Sequence, residues 1–266
     1  MTDTVLLTTD SRGVATLTLN RPEKHNAFDD VIISELTNKL VKLDNDKKVR
    51  VVVLTGAGKS FSAGADINWM RASAQFDEAQ NIEDALKLAE LMSTLDGMRI
   101  PTIARVNGAA FGGGVGLVAC CDIAIASTAA KFSLSEVRLG LVPSVISPYM
   151  IAAIGAHNAR RYFLTADVIT ADKAREIGLV HEVTSADKLD EAVEREIALL
   201  LKGGPKALTA AKNLIAGQVA LSTSARRNLR SKTANIIAQL RVSDEGQEGL
   251  SAFLEKRPAS WNKESK

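Results

Sequence analysis

The sequence predicts an α/β domain that passes into a purely helical C-terminal region. Three observations carry this. Short apolar runs at Val14–Leu19, Val51–Leu54 and Ile103–Val106 alternate with stretches of helical periodicity through the first half. The last third contains only helix-spaced segments. A hydrophobic content of 46% with 24% charge over 266 residues allows a large core, with or without a smaller appendage, and excludes extended disorder.

Taken in order, Val14–Leu19 alternates as a strand does, and Asn20-Arg21-Pro22 ends it. A loop follows from Arg21 to Phe28 with Arg21, Lys24 and His25. From Asp29 to Asp44 the residues Ile32, Ile33, Leu36, Leu40 and Leu43 share one helical face. Asp46–Arg50 is a charged turn, and Val51–Leu54 a buried strand closed by Thr55-Gly56-Ala57-Gly58. Phe61–Ile67, FSAGADI, places small residues where backbone can approach a ligand closely. Met70–Gln80 is polar and is expected to be mobile. Ile82–Leu95 is amphipathic through Ala85, Leu88, Ala89 and Met92. A strand at Ile103–Val106 meets the Asn107-Gly108 turn, and Asp122–Ala126 and Lys131–Leu134 read as further strands. Helices are expected at Pro148–Ile154, His157–Leu164, Ala171–Ile177, Asp187–Leu201, Lys206–Val219, Ser224–Arg241 and Asp244–Lys256. Gly203-Gly204-Pro205 interrupts them, and the end from Asn262 is expected to fray.

Composition excludes several classes of function. The net charge of +2 and the 4% aromatic content give no footprint for nucleic acid or a membrane surface. Cys120 and Cys121 are adjacent in an apolar run, so they read as small buried hydrophobes in a reducing compartment. His25, His157 and His181 have no metal-ligand spacing, so no metal is expected. The N-terminus has no secretory pattern and no apolar run is long enough to span a bilayer. A cytoplasmic protein is expected.

Chemistry concentrates in Asn107–Gly114, NGAAFGGG. Gly112, Gly113 and Gly114 weaken any regular element that contains them, but they allow bare N–H groups to face a ligand. The apolar run Val115–Cys121 reads as a buried helix. Gly113 or Gly114 then lies at its N-terminus, where unpaired N–H groups favour an oxygen that becomes anionic. Two plainer readings stand beside this one. The run can be a tight turn. It can also be a degenerate dinucleotide fingerprint, Gly108-x-Ala110-x-x-Gly113 with Glu136 as the acid.

FSAGAD at Phe61–Asp66, NGAAFGGG at Asn107–Gly114 and FSLSEVRLGLVP at Phe132–Pro143 together resemble the crotonase superfamily, the enoyl-CoA hydratase/isomerase family. The resemblance runs from the NRPEKHNAF loop to EGLSAFLEKRP near the C-terminus. It implies a crotonase-like spiral of β-β-α units over residues 1–200 and a helical trimerisation region over 201–266, in a homotrimer or a dimer of trimers. It implies an acyl-CoA thioester substrate, with no cofactor beyond the coenzyme A of that substrate. The thioester oxygen is held between the backbone N–H groups of Ala65 and Gly113. Lys24 matches a CoA phosphate contact. Ala63, Asp66, Ile67 and Gly112 match CoA-binding backbone, and Phe253 and Lys256 match residues that family trimers bring to CoA. A helix N-cap is an equally good reading of Asp66.

Family hydratases carry two glutamates. Here the first position is Gly116 and the second is Glu136. The plainer reading of Glu136 is a surface salt bridge with Arg138. One glutamate is sufficient for a Δ3,Δ2-enoyl-CoA isomerase. The segments around Gly116 and Glu136 also resemble bacterial hydratases of branched, methylglutaconyl-type substrates, with Ser144, Ser147 and Tyr149 as candidates for the acyl pocket. Hydration of such a substrate is the first reading and isomerisation the second. A non-catalytic acyl-CoA or RNA-binding member of the fold is a third. Lys39, Lys42, Lys47 and Lys48 are available for RNA but are more simply solvated, as are Arg226, Arg227, Arg230 and Lys232.

Overall fold

A computed structural model describes residues 3–218 and 223–261; the side chains of 218, 223–227 and 229 are outside this description. The expected helix end at Val219, the tail from Asn262 and the side chains of Arg226 and Arg227 therefore lie outside the described residues.

Strand β1 (Val5–Thr9) pairs antiparallel with β2 (Val14–Leu19). Helix α1 (Asp30–Asn45) is capped by Asp29, whose carboxylate accepts the Ile32 N–H, and buries all five residues of the expected face. Three β-β-α units follow. The first is β3 (Val51–Gly56), β4 (Ser60–Ser62), α2 (Ile67–Ser73) and α3 (Glu78–Asp96). The second is β5 (Thr102–Val106), β6 (Ala109–Phe111) and α4 (Gly113–Cys120). The third is β7 (Ile123–Ser127), β8 (Lys131–Ser133), a 3-10 turn over Glu136–Leu139 and α5 (Ser147–Thr165). Then come β9 (Ile169–Thr170), α6 (Ala171–Glu176), β10 (Glu182–Thr184) and α7 (Leu189–Lys202). Helices α8 (Pro205–Gln218), α9 (Thr223–Val242) and α10 (Asp244–Leu254) complete the chain.

Each unit contributes one strand to each of two sheets. The larger has the order β1-β2-β3-β5-β7-β10 and the smaller β4-β6-β8-β9. From β2 to β10 the larger sheet is parallel, with Val53 opposite Ile103 and Ile103 opposite Ile123. This is the α/β spiral that the resemblance implies.

The pleat divides the core. Val51, Val53, Ile103 and Ile125 pack against Leu189, Ala192, Val193 and Ile197 of α7. Val52, Leu54, Ala104 and Val106 face the main core with α1, α3 and α4. Ala234 and Ile237 of α9 and Leu250 of α10 belong to that same core. The thiols of Cys120 and Cys121 are buried in it.

The structure departs from expectation in two places. Residues 70–80 are helical rather than loose at both ends, because Asp77 and Gln80 form a capping box that starts α3. The two helices expected between Pro148 and Leu164 are both present, as the two halves of α5 on either side of a non-helical Gly155, where φ is +73° and ψ is 157°. Strands β1, β4, β6, β9 and β10 were not expected; the last four are only two or three residues long, too short to show a period.

Helix α10 is laid directly on the 3-10 turn. A Cβ on Gly249 would stand 2.3 Å from the carbonyl carbon and oxygen of Leu139. The turn's position therefore depends on bare backbone at Gly249. Gly249→Ala is expected to cost about 1–3 kcal/mol, read as a lower urea midpoint at unchanged m-value; an unchanged midpoint would show that α10 does not set the turn.

Candidate active site

A cavity of about 940 Å³ opens between the Arg21–Phe28 loop, the segment before α2, the glycine loop before α4, the 3-10 turn and the C-terminal helices. Its first wall is anchored by the buried Asn26. The Asn26 amide donates to the carbonyls of Ala57 and Ser60, both at 2.8 Å, and its Oδ1 accepts the Arg21 N–H at 2.9 Å. The Ala63 N–H donates to the His25 carbonyl at 2.9 Å. Phe28 then bridges to Ala65: its N–H donates to Gly64 at 2.8 Å and its carbonyl accepts the Asp66 N–H at 2.9 Å. This pairing uses the peptide groups on either side of Ala65. The Ala65 N–H has no acceptor among the described residues.

The second wall is the glycine loop. The Gly112 N–H donates to the Ser133 carbonyl at 2.9 Å, with φ at +49° and ψ at −122°, a conformation reserved for glycine. Gly113 opens α4, so its N–H has no intrahelical acceptor. It also lies on the Phe28 ring, where a Cβ would come within 2.8 Å of Cε2. Ala65 and Gly113 thus bring two unpaired N–H groups to one cavity.

Glu136 completes this region. Its Oε1 would lie 3.3 Å from a Cβ on Gly112. The residue keeps some exposure along the cavity wall, but its Oε2 is buried and has no partner among the described residues. Burial raises its pKa from 4.5 to about 7. The alternative salt bridge is absent: Arg138 donates instead to the Ala166 carbonyl at 2.9 Å. A carboxyl poised near neutrality beside two N–H donors can move a proton and hold an anionic oxygen.

Gly116 is not on the cavity wall. It is buried under Ile146, whose Cγ2 would stand 2.4 Å from a Cβ there, with Met92 Sδ at 3.1 Å. Ile146 lines the cavity in its place. The position of the absent acid is thus covered by a branched apolar side chain rather than left open.

At the mouth, Asp66 is both the N-cap of α2, accepting the Asn68 N–H at 2.8 Å, and the partner of Arg21 and Lys24, each at 3.0 Å. Burial pushes its pKa up, but Lys24, the Asn68 N–H and the Arg21 charge outweigh burial and hold it below the usual carboxylate range. Lys24, Ala63, Ile67, Gly112 and Phe253 line the cavity with it; Lys256 does not. Ser144 also lines it, but its hydroxyl donates to the Thr233 carbonyl at 2.6 Å. Ser147 and Tyr149 stay off the wall: Ser147 donates to the Ser144 carbonyl, and Tyr149 packs on the main core.

Several wall residues escape the sequence reading: Phe28, Trp69, Asp84, Ile146 and Arg241. Arg241 Nη1 donates to Asp84 at 2.9 Å and to Asn81 at 3.3 Å, and its guanidinium lies 5.7 Å from the centre of the Trp69 ring. Burial raises the pKa of Asp84, against the opposing charge and hydrogen bond of Arg241. A signal was available, since Asn81 and Asp84 are polar residues on the apolar stripe of α3.

The competing readings fare differently. Gly108-x-Ala110-x-x-Gly113 runs through strand β6 instead of turning directly into a helix, so it is not a dinucleotide fingerprint. Arg230 is not simply solvated, because it pairs with Glu90 of α3. Lys39 is held by Glu35 and the Val5 carbonyl. Among the described residues no helix is long and apolar enough to cross a membrane.

Comparison with known proteins agrees with this geometry. The pattern of the enoyl-CoA hydratase/isomerase family matches residues 9–264. The chain is 32% identical over 255 residues to the 2,3-dehydroadipyl-CoA hydratase of Escherichia coli, covering 95% of this chain and 96% of that one. It is 34% identical over 250 residues to the crotonyl-CoA hydratase of Syntrophomonas wolfei, covering 93% and 94%. An enoyl-CoA hydratase structure from Shewanella pealeana superposes with a TM-score of 0.79 at 46% identity, covering 97% of this chain and 96% of that one. One from Mycobacterium avium does so with a TM-score of 0.87 at 35% identity, covering 98% and 100%. Matched nearly end to end in sequence and fold, this chain is an enzyme of the enoyl-CoA hydratase/isomerase family, within the crotonase superfamily.

Proposed function

We propose that this enzyme adds water across the double bond of a branched, methylglutaconyl-type 2-enoyl-CoA, with Glu136 as the only acid/base. The observation that carries this is the Glu136 carboxyl against the Gly112–Gly113 loop, with its buried Oε2 lacking a partner among the described residues. Glu136 takes a proton from water as the oxygen bonds to Cβ. The electron pair of the double bond moves onto the thioester oxygen, held by the Ala65 and Gly113 N–H groups. Glu136 then returns the proton to Cα, so one carboxyl balances a complete addition. Each N–H donor lowers the barrier by about 3 kcal/mol. Coenzyme A enters as part of the substrate and no other cofactor takes part. Lys24 suits its phosphates at the mouth, beside the apolar Ile67 and Phe253.

The Gly116–Ile146 pair favours one second reading, isomerisation of a 3-enoyl-CoA by Glu136 alone, since it leaves no carboxyl at the Gly116 position. Labelled water separates the two: hydration places solvent oxygen in the product, isomerisation does not. A trimer or a dimer of trimers fits the outer face of α8, where Leu214 and Ile215 are each 64% exposed. The buried thiols suit the cytoplasm.

Glu136→Gln is expected to lower turnover by about 100-fold or more while acyl-CoA binding persists; near-normal turnover would remove Glu136 from the mechanism. The ionised form acts as base, so kcat/KM should rise about tenfold per pH unit below about 7 and level off above it. The same burial acts on stability. Glu136 binds its proton more tightly folded than unfolded, so it lowers stability as pH rises from 4.5 through about 7. Glu136→Gln should therefore be more stable than the parent at pH 8, by up to about 3 kcal/mol, and equal to it at pH 4. Gly116→Glu should destabilise the protein and fail to add activity unless Ile146 is also trimmed to Ala, because the new Cβ meets Ile146. A stable, more active single variant would show that Ile146 does not block the position.

A further inference from the structure

Arg241 is the less exposed of the two arginines on the cavity wall among the described residues. Its side chain is 14% exposed, whereas Arg138, the other arginine there, is exposed at the surface. Apart from its partner Asp84, the same wall carries the apolar Trp69, Leu88 and Ile237. Only Nη1 is committed to protein side chains, to Asp84 and Asn81; Nε and Nη2 have no acceptor among the described residues. The Trp69 ring and Asp84 fix the guanidinium plane. A buried ion pair adds little net stability over apolar packing, so its place on the same wall as these residues calls for a use. CoA phosphates do not supply one, since the exposed Lys24 offers positive charge at the mouth and Trp69, Leu88 and Ile237 on the same wall suit an aliphatic chain.

We infer that Arg241 binds a carboxylate at the far end of the acyl chain, so that the enzyme selects acyl-CoA thioesters of dicarboxylic acids. This rests on the acyl-CoA reading above and deepens it. The free edge of the guanidinium, Nε and Nη2, presents two parallel donors to a carboxylate. Asp84 orients Arg241 and tempers its charge. A plain alkyl chain at this place strips water from Arg241 without replacing its hydrogen bonds, which turns the site against neutral substrates.

Calorimetric binding of two saturated thioesters, glutaryl-CoA and butyryl-CoA, tests this without turnover, so it stands even if the reaction proves to be isomerisation. Wild-type protein should bind glutaryl-CoA at least tenfold more tightly than butyryl-CoA. Arg241→Gln should lose that preference by binding glutaryl-CoA more weakly, with butyryl-CoA bound at least as tightly as by the parent. Asp84→Asn, which retains Arg241, should widen the preference by freeing its charge. The opposite directions separate recognition from a merely structural pair, and Asp84→Asn serves if Arg241→Gln does not fold. Equal binding of the two thioesters by wild type, an equal loss of both in Arg241→Gln, or a preference that stays or narrows in Asp84→Asn overturns the assignment. Binding of neither thioester overturns it together with the acyl-CoA reading.

Discussion

Phe28 joins the two halves of the site. Its peptide N–H and carbonyl pin the backbone on either side of Ala65, and its ring, almost wholly buried, supports Gly113 from below. Two loops some fifty residues apart in the chain thereby hold their N–H groups on a single cavity. Nothing larger than glycine fits above that ring, which is a steric requirement at Gly113 rather than a need for flexibility. The spiral serves this junction. Each β-β-α unit ends one strand of the small sheet at the cavity, so β4, β6 and β8 deliver the Ala65 segment, the glycine loop and the Glu136 turn side by side.

Three buried carboxylates show how surroundings assign different work to one functional group. Asp66 receives two cations and a backbone N–H, and stays ionised as an anchor for the mouth. Asp84 is paired with Arg241 and feels the charge of Lys87, but burial outweighs both, so its charge is only partly supported. Glu136 has no cation beside it among the described residues, so burial governs its proton affinity and brings it to the range where a proton can be taken and returned near neutral pH. The absence of a counter-ion at Glu136 among the described residues costs folding stability and leaves a carboxyl that can exchange its proton near neutral pH.

Much of the fold was legible. The five-residue face of α1, the strands β2, β3 and β5, and the C-terminal helices follow from periodicity and turn residues. Short strands such as β6 were not, because three residues carry no period and their identity depends on what lies beside them. The region from Met70 to Gln80 was misread although Asp77 and Gln80 have the spacing of a capping box. At the site, Ala65, Gly113 and Glu136 could be found from motif, but Ile146, Trp69 and Arg241 could not. They belong to no motif, and they reach the cavity only because α2, α5 and α9 pack there.

Residue order alone determined the α/β class, the family and the glycine loop, since these depend on local patterns that survive without neighbours. It also determined that one of two expected acids is missing. What stands in its place was decided by tertiary packing: Ile146 covers Gly116, so the position is closed and apolar. The proton affinity of Glu136 was likewise decided there, because desolvation is a property of everything that surrounds a carboxyl and not of the turn that carries it.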